Sequence, residues 1–541
     1  MRLQVQVLLS VASGSLVPSV RGFVPAGTSS VGRLALPTVS RFTCHLRSRS
    51  TSSAASSITL SRRSLTRLAS KDNGISGSGG GRASAAVLQD EERRAEATAS
   101  GEEAAETLDL KPPRGTRDVF PEDMRLRNWL FGHWRQVALS FGFEEYDAPV
   151  LESEGLYVRK SGEEVTQQLY NFEDKGGRRV SLRPEMTPSL ARMVMSKRKS
   201  LNLPVKWFSV PQCWRYERMT RGRRREHYQW NMDIWGVQGV EAEAELLGAI
   251  VTFFERVGLG PEDVGIKVNS RGVLTGVLRS LGVPEEKHTA TCVLVDKLDK
   301  VPVDAISGEL QALGLEESSI KRLVEVMEIR DMEGVERVLG KDEAPVQQLG
   351  KLFDLAASYG FSEWLVLDCS VVRGLAYYTG TVFEAFDRRG KLRAICGGGR
   401  YDSLLKSFGG EALPAAGFGF GDAVIVELLS DKGLLPPDQG PGVTAVVFAF
   451  DSELQVAATT VARDLRRAGL SVDLVLETRK PKVNFRHADR LQAAFVVIVA
   501  PSEWAQEKVS VKNMRTGQQE ALSVTDAVRH IVDGVEGISD G

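Results

Sequence analysis

The sequence predicts an α+β protein, in which an antiparallel sheet with flanking helices carries a helical insertion and is followed by a smaller α/β domain. Residues 180–238 predict strands and a helix, and strands return between residues 363 and 402. The intervening residues 271–363 show helical periodicity instead. After residue 442, buried strands alternate with amphipathic helices, which predicts a small domain with a mainly parallel sheet.

Length and composition set the class of the chain. Its 541 residues allow about three or four domains of ordinary size. With 42% hydrophobic and 26% charged residues, the composition is globular and excludes a collagen-like, coiled-coil or wholly disordered chain. The sequence lacks the run of roughly 18 apolar residues that a spanning helix requires, so no such helix is expected.

The first 70 residues have the composition of an organellar transit peptide. They hold nine Arg and 16 Ser, with no Lys, Asp or Glu. A disordered tail without a targeting role is the alternative. Residues 71–110, rich in Gly, Ser, Ala and Glu, predict a disordered linker. From residue 71 onwards, 60 basic and 70 acidic side chains give a charge of −10, so basic clusters there are local features.

Cysteines and histidines form no metal-binding pattern. None of the five cysteines lies two to four residues from another, so neither a zinc knuckle nor a disulfide scaffold is predicted. The six histidines are equally scattered. We therefore expect a reducing compartment and no metal site built by the protein alone.

Local signals define the elements that precede the insertion. A loop rich in Pro and Gly leads at Glu122 into an amphipathic helix. The strand predicted over residues 143–152 contains Pro149, which removes a backbone donor, so this strand should lie at a sheet edge or an interface. Residues 240–259 predict a long helix.

The segment 434–443, rich in Pro and Gly, marks a domain boundary. Beyond it we predict strands over residues 443–450, 470–477 and 494–501. Helices over residues 452–469 and 483–493 alternate with these strands.

Residues 205–237 carry the densest chemical signal, which predicts a strand, a loop and a second strand. Gln229, Asn231 and Asp233 share one face of the second strand, and large apolar residues occupy the other. Arg215 and Glu217 should share a face of the first strand. A polar face among so many aromatic residues predicts a cavity that binds a ligand. The alternative is the solvated outer face of a two-sided sheet.

The loop between these strands holds five arginines within eight residues: Arg218, Arg221, Arg223, Arg224 and Arg225. Guanidinium groups match phosphate in bidentate geometry. We expect one of them to face inward towards a nucleotide and the others to face a polyanion outside. A solvated run of charge is the alternative.

Two further segments carry candidate site residues. Glu185 and Thr187 alternate along the chain before a helix, where Glu185 either holds a substrate ammonium or caps that helix. Arg373 follows a predicted strand. If Tyr377 and Tyr378 lie in a strand, they point to opposite faces, and one of them lines a pocket.

Two glycine-rich motifs follow. The motif CGGGRYD at residues 396–402 predicts a turn that carries Arg400. In GFGFGD at residues 417–422, glycine at every second position clears one sheet face for a flat ligand such as a nucleotide. Each run alone is also compatible with a simple turn or bulge.

Together these motifs resemble the class II aminoacyl-tRNA synthetases, specifically the histidyl-tRNA synthetase family, from about Pro112 to Val528. APVLE at residues 148–152 is similar to motif 1 of the class. Residues 214–233 are similar to motif 2, and GFGFGD is similar to motif 3. VRGLAYY and GGGRYD resemble the two signatures specific to histidine, and the sequence around the motif 2 loop resembles the organellar and bacterial-type branch.

The resemblance implies the activity and the residues that carry it. The enzyme would activate histidine with ATP to histidyl-adenylate, with Mg²⁺ shared by the ATP phosphates, and transfer the histidyl group to tRNA(His). Arg215 and Arg373 are implied as catalytic residues at the α-phosphate. The residues implied to bind histidine are Glu185, Thr187, Gln229, Asp233, Tyr377 and Tyr378. The residues implied to bind ATP are Arg215, Glu217, Arg223, His227 and Arg373. The residues implied to contact tRNA are Arg221, Arg224, Arg225, Lys480, Lys482 and Arg486.

The resemblance also implies a domain order, an assembly and a location. A class II catalytic domain would span residues 111–433, with the insertion at about 271–363, and an anticodon-binding domain would span residues 442–541. The family implies a homodimer without a membrane partner. The presequence directs the chain to the chloroplast, the mitochondrion or both.

The sequence departs from the family pattern at three positions. Ala423 and Val424 stand where motif 3 usually carries a Glu-Arg pair whose arginine contacts ATP. His227 stands where an aromatic residue often stacks on adenine, and Ala376 replaces a usual Asp. A non-catalytic, histidine-sensing paralogue and a polyanion-binding accessory protein with the same fold are the competing hypotheses.

Overall fold

The computed structural model describes residues 108–158, 166–295, 302–371, 377–438 and 440–539. No helix within these ranges is long and apolar enough to cross a membrane. The transit segment, most of the predicted linker and Arg373 lie outside the described residues.

Short strands and helices alternate from the start of the described chain to the end of the helical insertion. The elements before the insertion are α1 (Pro121–Ser140), β1 (Glu144–Glu145), β2 (Leu151–Ser153), α2 (Glu154–Val158), β3 (Tyr170–Glu173), β4 (Arg179–Leu182), α3 (Thr187–Lys197), β5 (Val205–Ser209), β6 (Gln212–Trp214), β7 (Glu226–Trp235), α4 (Glu241–Arg256) and β8 (Val264–Ser270). The described part of the insertion is helical, with α5 (Arg271–Ser280), α6 (Glu285–Val295), α7 (Val303–Ala312), α8 (Glu317–Met327), α9 (Met332–Leu339) and α10 (Ala344–Tyr359).

Strands resume after the insertion and complete the large sheet before the C-terminal region begins. These elements are β9 (Leu365–Leu367), β10 (Thr381–Asp387), β11 (Cys396–Arg400), α11 (Leu404–Ser407), β12 (Ala415–Gly421) and α12 (Asp422–Lys432). The C-terminal region holds β13 (Ala445–Ala449), α13 (Gln455–Arg467), β14 (Val472–Leu474), α14 (Pro481–Arg490), β15 (Phe495–Val499), α15 (Pro501–Trp504), β16 (Lys508–Asn513), β17 (Gln519–Ser523) and α16 (Val524–Ser539).

The large sheet has the order β1-β5-β7-β12-β11-β10-β8-β9, and β6 also pairs with β7. Only the two outermost pairings of this path, β1 with β5 and β8 with β9, are parallel. The remaining pairings are antiparallel, which confirms the predicted antiparallel core. A separate three-stranded antiparallel sheet has the order β2-β4-β3.

One face of the large sheet buries aromatic side chains against α1 and α4. Trp230 of β7 stacks on Trp134 of α1 with ring centroids 6.0 Å apart. Phe253 of α4 meets Trp230 at 5.8 Å and Phe420 of β12 at 5.2 Å. All four rings are fully buried. Because alternate residues of β7 face opposite sides, this packing leaves the polar residues of that strand to the other face.

Three local predictions differ from the structure. Residues 143–152 form two short strands on either side of Pro149 instead of one, although both lie at sheet edges as predicted. CGGGRYD does not form a turn, because its first five residues build β11 in the middle of the sheet. The C-terminal sheet, β14-β13-β15-β16-β17, is mixed, because the parallel strands β14, β13 and β15 are followed by an antiparallel hairpin.

A buried ion pair ties β11 to α4. Nε and an amino group of Arg400 donate to the carboxylate of Glu243 at 2.8 and 2.5 Å, and the Glu243 side chain is fully buried. Arg400 also donates to the backbone carbonyls of Val237 and Gly239. The arginine of the GGGRYD motif therefore holds the sheet on its supporting helix and is not available to bind a ligand.

Removing one partner of this pair should destabilise the fold. Glu243→Ala leaves a guanidinium buried without its carboxylate, which costs about 3–5 kcal/mol. We expect a clear drop in the melting temperature measured by calorimetry. The control Glu333→Ala breaks an exposed pair with Arg337 and should leave the melting temperature nearly unchanged. Equal effects of the two variants would contradict the role assigned to the buried pair.

Candidate active site

A cavity of about 210 Å³ opens beside the polar end of β7. Its walls come from the β6–β7 loop, from the end of β12 with the start of α12, and from the segment before β11. Gly419 and Gly421 of β12 both line it, so these alternate positions present backbone to the cavity without side chains.

Arg215 and Glu217 line the cavity although they do not share a strand face. β6 ends at Trp214, so the predicted alternation on that strand is wrong. Hydrogen bonds to backbone carbonyls, rather than strand pairing, fix the position of the loop. The N–H of Arg215 donates to the carbonyl of Arg225 at 2.8 Å, and its Nε donates to the carbonyl of Pro184 at 2.9 Å.

The loop places two more arginines at the cavity. Arg223 forms an ion pair with Glu217, whose side chain is only 6% exposed. Arg224 also lines the cavity, and burial, followed by repulsion from Arg117, lowers the pKa of its guanidinium. The loop thus gathers positive charge around one small space, and the Glu217 carboxylate compensates part of it.

His227 and Gln229 of β7 line the same cavity. Burial, and then repulsion from Arg215, lowers the pKa of His227 to about 3. The imidazole is therefore neutral at physiological pH and presents an uncharged ring. Oε1 of Gln229 accepts a weak hydrogen bond from Sγ of Cys213 at 3.6 Å.

Asp233, four positions after Gln229 on the same face of β7, lies fully buried against Tyr401. The Tyr401 hydroxyl donates to Oδ1 of Asp233, and within the described residues Oδ2 has no hydrogen-bond partner. Burial raises the pKa of Asp233 to about 7, while the bond from Tyr401 opposes this rise and Glu185 adds to it. A side chain at Gly417 would collide with Asp233 and Tyr401, so glycine there permits their approach.

Glu185 and Tyr377 complete an acidic cluster with Asp233 and Tyr401. The Tyr377 hydroxyl donates to Oε2 of Glu185 at 3.0 Å, and burial followed by the Glu185 charge raises the pKa of Tyr377. Tyr378 is buried in the same cluster, with its ring centroid 5.2 Å from that of Tyr377. The prediction that these tyrosines point to opposite faces is wrong, because they precede β10 and do not lie in it.

The remaining predicted residues are dispersed. Thr187 is buried at the start of α3. Arg221 pairs with Glu427 at 2.9 Å and Asp431 at 2.8 Å on α12, and the Arg225 guanidinium lies 3.8 Å from the Tyr216 ring centroid. At the start of α14, three exposed residues make no ion pair with any described residue: Lys480, Lys482 and Arg486. Contact of these residues with tRNA stays a prediction.

The sequence analysis missed three residues of the site. Arg393 lines the cavity from the segment before β11, and Asp422 lines it from the start of α12. Tyr401 orients the buried carboxylate of Asp233. Tyr401 lies within the GGGRYD motif, which could have marked it as a candidate site residue. Arg393 lies in a basic hairpin whose sequence resembles a solvated surface.

The cavity and the acidic cluster suit different parts of one reaction. Several guanidinium groups around a small space favour a polyphosphate. Two buried carboxyl groups with tyrosine hydroxyls favour a small ligand that carries hydrogen-bond donors and positive charge. Gln229 lies between them in sequence, two positions after His227 of the cavity and four before Asp233 of the cluster.

Comparison with protein families matches two models to this chain. The first, described as histidyl-tRNA synthetase, covers residues 115–422. The second, described as anticodon binding domain, covers residues 444–533. Between them they span the large sheet with its insertion and the C-terminal mixed sheet.

Individual relatives agree with the family models. A histidine–tRNA ligase of Arabidopsis thaliana, named chloroplastic/mitochondrial, is 55% identical over 419 residues, which cover 77% of this chain and 86% of the relative. A histidine–tRNA ligase of Opitutus terrae is 41% identical over 74% of this chain and 93% of its own length. The crystal structure of histidyl-tRNA synthetase from Nostoc sp. PCC 7120 is similar with a TM-score of 0.64 and 26% identity, covering 79% of this chain and all of that one.

The raised pKa of Asp233 predicts a pH-dependent stability. Its carboxyl releases a proton near 3.8 in the unfolded chain but only near 7 in the folded protein. Stability is therefore lost as pH rises from about 4 to about 7, by up to roughly 4 kcal/mol. Asp233→Asn carries no such proton and should melt higher than the wild type at pH 8, with the difference vanishing towards pH 4. A constant difference across this range would contradict the raised pKa.

Proposed function

Because the chain belongs to the histidyl-tRNA synthetase family, we propose that its cavity and acidic cluster together catalyse the attachment of histidine to tRNA(His). The chain is a histidine–tRNA ligase that uses ATP. The observation that carries the proposal is the juxtaposition of an arginine-lined cavity with the buried pair of Asp233 and Tyr401.

The acidic cluster would select histidine. Glu185 would hold the substrate ammonium, with Thr187 and Gln229 as further polar groups. Asp233, oriented by Tyr401, would accept a hydrogen bond from the imidazole, and Tyr378 would complete the clamp on the second ring nitrogen. An amino acid without two ring nitrogens would leave these buried groups unpaired, which is costly.

The cavity would hold ATP for the first step. The histidine carboxylate attacks the α-phosphorus, the bond to the β-phosphate oxygen breaks, and pyrophosphate leaves. Arg215, fixed by Pro184, suits the α-phosphate, and Arg223 suits the neighbouring phosphates. Neutral His227 suits the face of adenine. In the second step a terminal ribose hydroxyl of the tRNA attacks the acyl carbon and AMP leaves.

Mg²⁺ would enter with ATP and would not occupy a ready-made site. The described residues contain no cluster of three metal-ligating side chains. The cavity does offer the Glu217 carboxylate, which fits a cation held mainly by phosphate oxygens. When bound, Mg²⁺ neutralises phosphate charge, and the arginines of this chain position the nucleotide.

A homodimer and an organellar location complete the proposal. The small sheet exposes Leu151 and Phe172, with relative exposures of 44% and 45%, and such apolar side chains favour an interface between two copies. Sedimentation of the purified protein as a single chain would refute the dimer. The arginine-rich, acid-free presequence and the chloroplastic/mitochondrial name of the Arabidopsis relative support action in these organelles. The domain limits 111–433 and 442–541 stay part of the proposal.

Histidine-dependent exchange of pyrophosphate into ATP tests the enzyme directly. The wild type should catalyse it in the presence of Mg²⁺. Arg373→Ala should lower the turnover by about 10²–10³, because it removes one charge contact made in the transition state. The Michaelis constant for histidine should change little. Absence of exchange in the wild type would favour the non-catalytic paralogue or the accessory protein, and a change confined to the Michaelis constant would contradict the role of Arg373.

A second variant separates tRNA binding from amino acid activation. Replacing Lys480, Lys482 and Arg486 by Ala removes three exposed positive charges from the start of α14. If they contact tRNA phosphates, the logarithmic salt dependence of tRNA binding should become shallower by about two to three units. Pyrophosphate exchange should be unchanged and serves as the control. An unaltered salt slope would return these residues to an ordinary solvated surface.

A further inference from the structure

Arg393 contributes a guanidinium to the cavity from an element far from the motif 2 loop. It lies between β10 and β11 and lines the same cavity as Arg215 and Arg223. Its side chain is exposed to solvent, and among the described residues it has no hydrogen-bond or ion-pair partner. Nothing in the fold therefore requires a cation at this position.

The surroundings disfavour the positive charge of Arg393. Although the residue is exposed overall, partial burial of its guanidinium, and then repulsion from Arg223, lowers the pKa of Arg393, with Arg215 adding repulsion. The charges that oppose this are the carboxylates of Glu217 and Glu384. Four guanidinium groups line the cavity against two carboxylates, those of Glu217 and Asp422, and Glu217 already pairs with Arg223. Such an excess favours a bound polyanion.

The start of α12 contributes no positive charge to the cavity. Ala423 and Val424 line the cavity there with apolar side chains. A methyl group of Val424 lies so near Gly222 that a Cβ on this glycine would be only 3.3 Å from it. This wall is therefore closely packed against the motif 2 loop, and it leaves the β10–β11 side as the source of a further guanidinium.

We propose that Arg393 binds the β- and γ-phosphates of ATP and stabilises pyrophosphate as it leaves. This inference rests on the proposed ligase function and adds a residue from outside the class II motifs to it. Arg215 and Arg223 hold the nucleotide from the motif 2 loop. Arg393 contacts its β- and γ-phosphates from the connection between β10 and β11. Arg393 thereby supplies the phosphate contact that the apolar side chain of Val424, at the usual motif 3 arginine position, does not make.

Pyrophosphate exchange by the full-length enzyme tests this role. Arg393→Ala should raise the Michaelis constants for ATP and pyrophosphate by about 10–100-fold, the equivalent of one charged hydrogen-bonding group. Arg393→Lys should recover part of the loss, because lysine keeps the positive charge but lacks the planar, bidentate donor geometry of the guanidinium group. The Michaelis constant for histidine and the melting temperature should stay unchanged. Lys391→Ala, in the same hairpin but outside the cavity, is the matched control.

Inhibition by AMP locates the contact on the nucleotide. AMP lacks the β- and γ-phosphates, so its inhibition constant should be the same for the wild type and Arg393→Ala. An equal weakening of AMP and ATP would overturn the assignment to the phosphate tail. Wild-type activity with unchanged constants in Arg393→Ala would overturn the role of Arg393 and leave the ligase function standing. A wild type without exchange would overturn both.

Discussion

Repulsion among guanidinium groups in one small cavity is the constraint on which the site depends. Arg215, Arg223, Arg224 and Arg393 all line a space of about 210 Å³. The chain tolerates this because backbone carbonyls hold the loop and because Glu217 compensates one charge. The remaining positive charge favours the binding of a ligand with several negative charges. Stability and function therefore oppose each other here, as they do at the buried carboxyl of Asp233.

The glycines of β12 connect the two halves of the site. Gly417 allows Asp233 and Tyr401 to meet, and Gly419 and Gly421 open the cavity beside them. One strand with glycine at every second position thus borders both the acidic cluster and the arginine-lined cavity. Its opposite face carries Phe418 and Phe420, which are buried in the core. The alternation of a single strand therefore sets the core packing on one face and the spacing between the acidic cluster and the cavity on the other.

The sequence was sufficient to predict features that depend on the repeat of polar and apolar residues along a single helix or strand. The alternation of β7 predicted its polar face, and the antiparallel sheet, the helical insertion and the family resemblance led to the same architecture. Predictions failed where tertiary contacts decide the outcome. β6 ends early because loop hydrogen bonds replace strand pairing. Tyr377 and Tyr378 precede β10, so the alternation of side chains along a strand does not apply to them. The place of Arg393 depends on the register of strands distant in sequence, which no local pattern encodes.

The segment that precedes α1 forms part of the wall behind the motif 2 loop. The carbonyls of Arg114 and Gly115 accept hydrogen bonds from Arg225, and Arg117 donates to Asp422 at 3.4 Å. Gly115 has a φ of +96°, and a Cβ there would lie 2.5 Å from Cδ of Arg225. A chain trimmed beyond residue 115 would lose these hydrogen bonds, so the motif 2 loop depends on a segment about a hundred residues upstream of it in sequence.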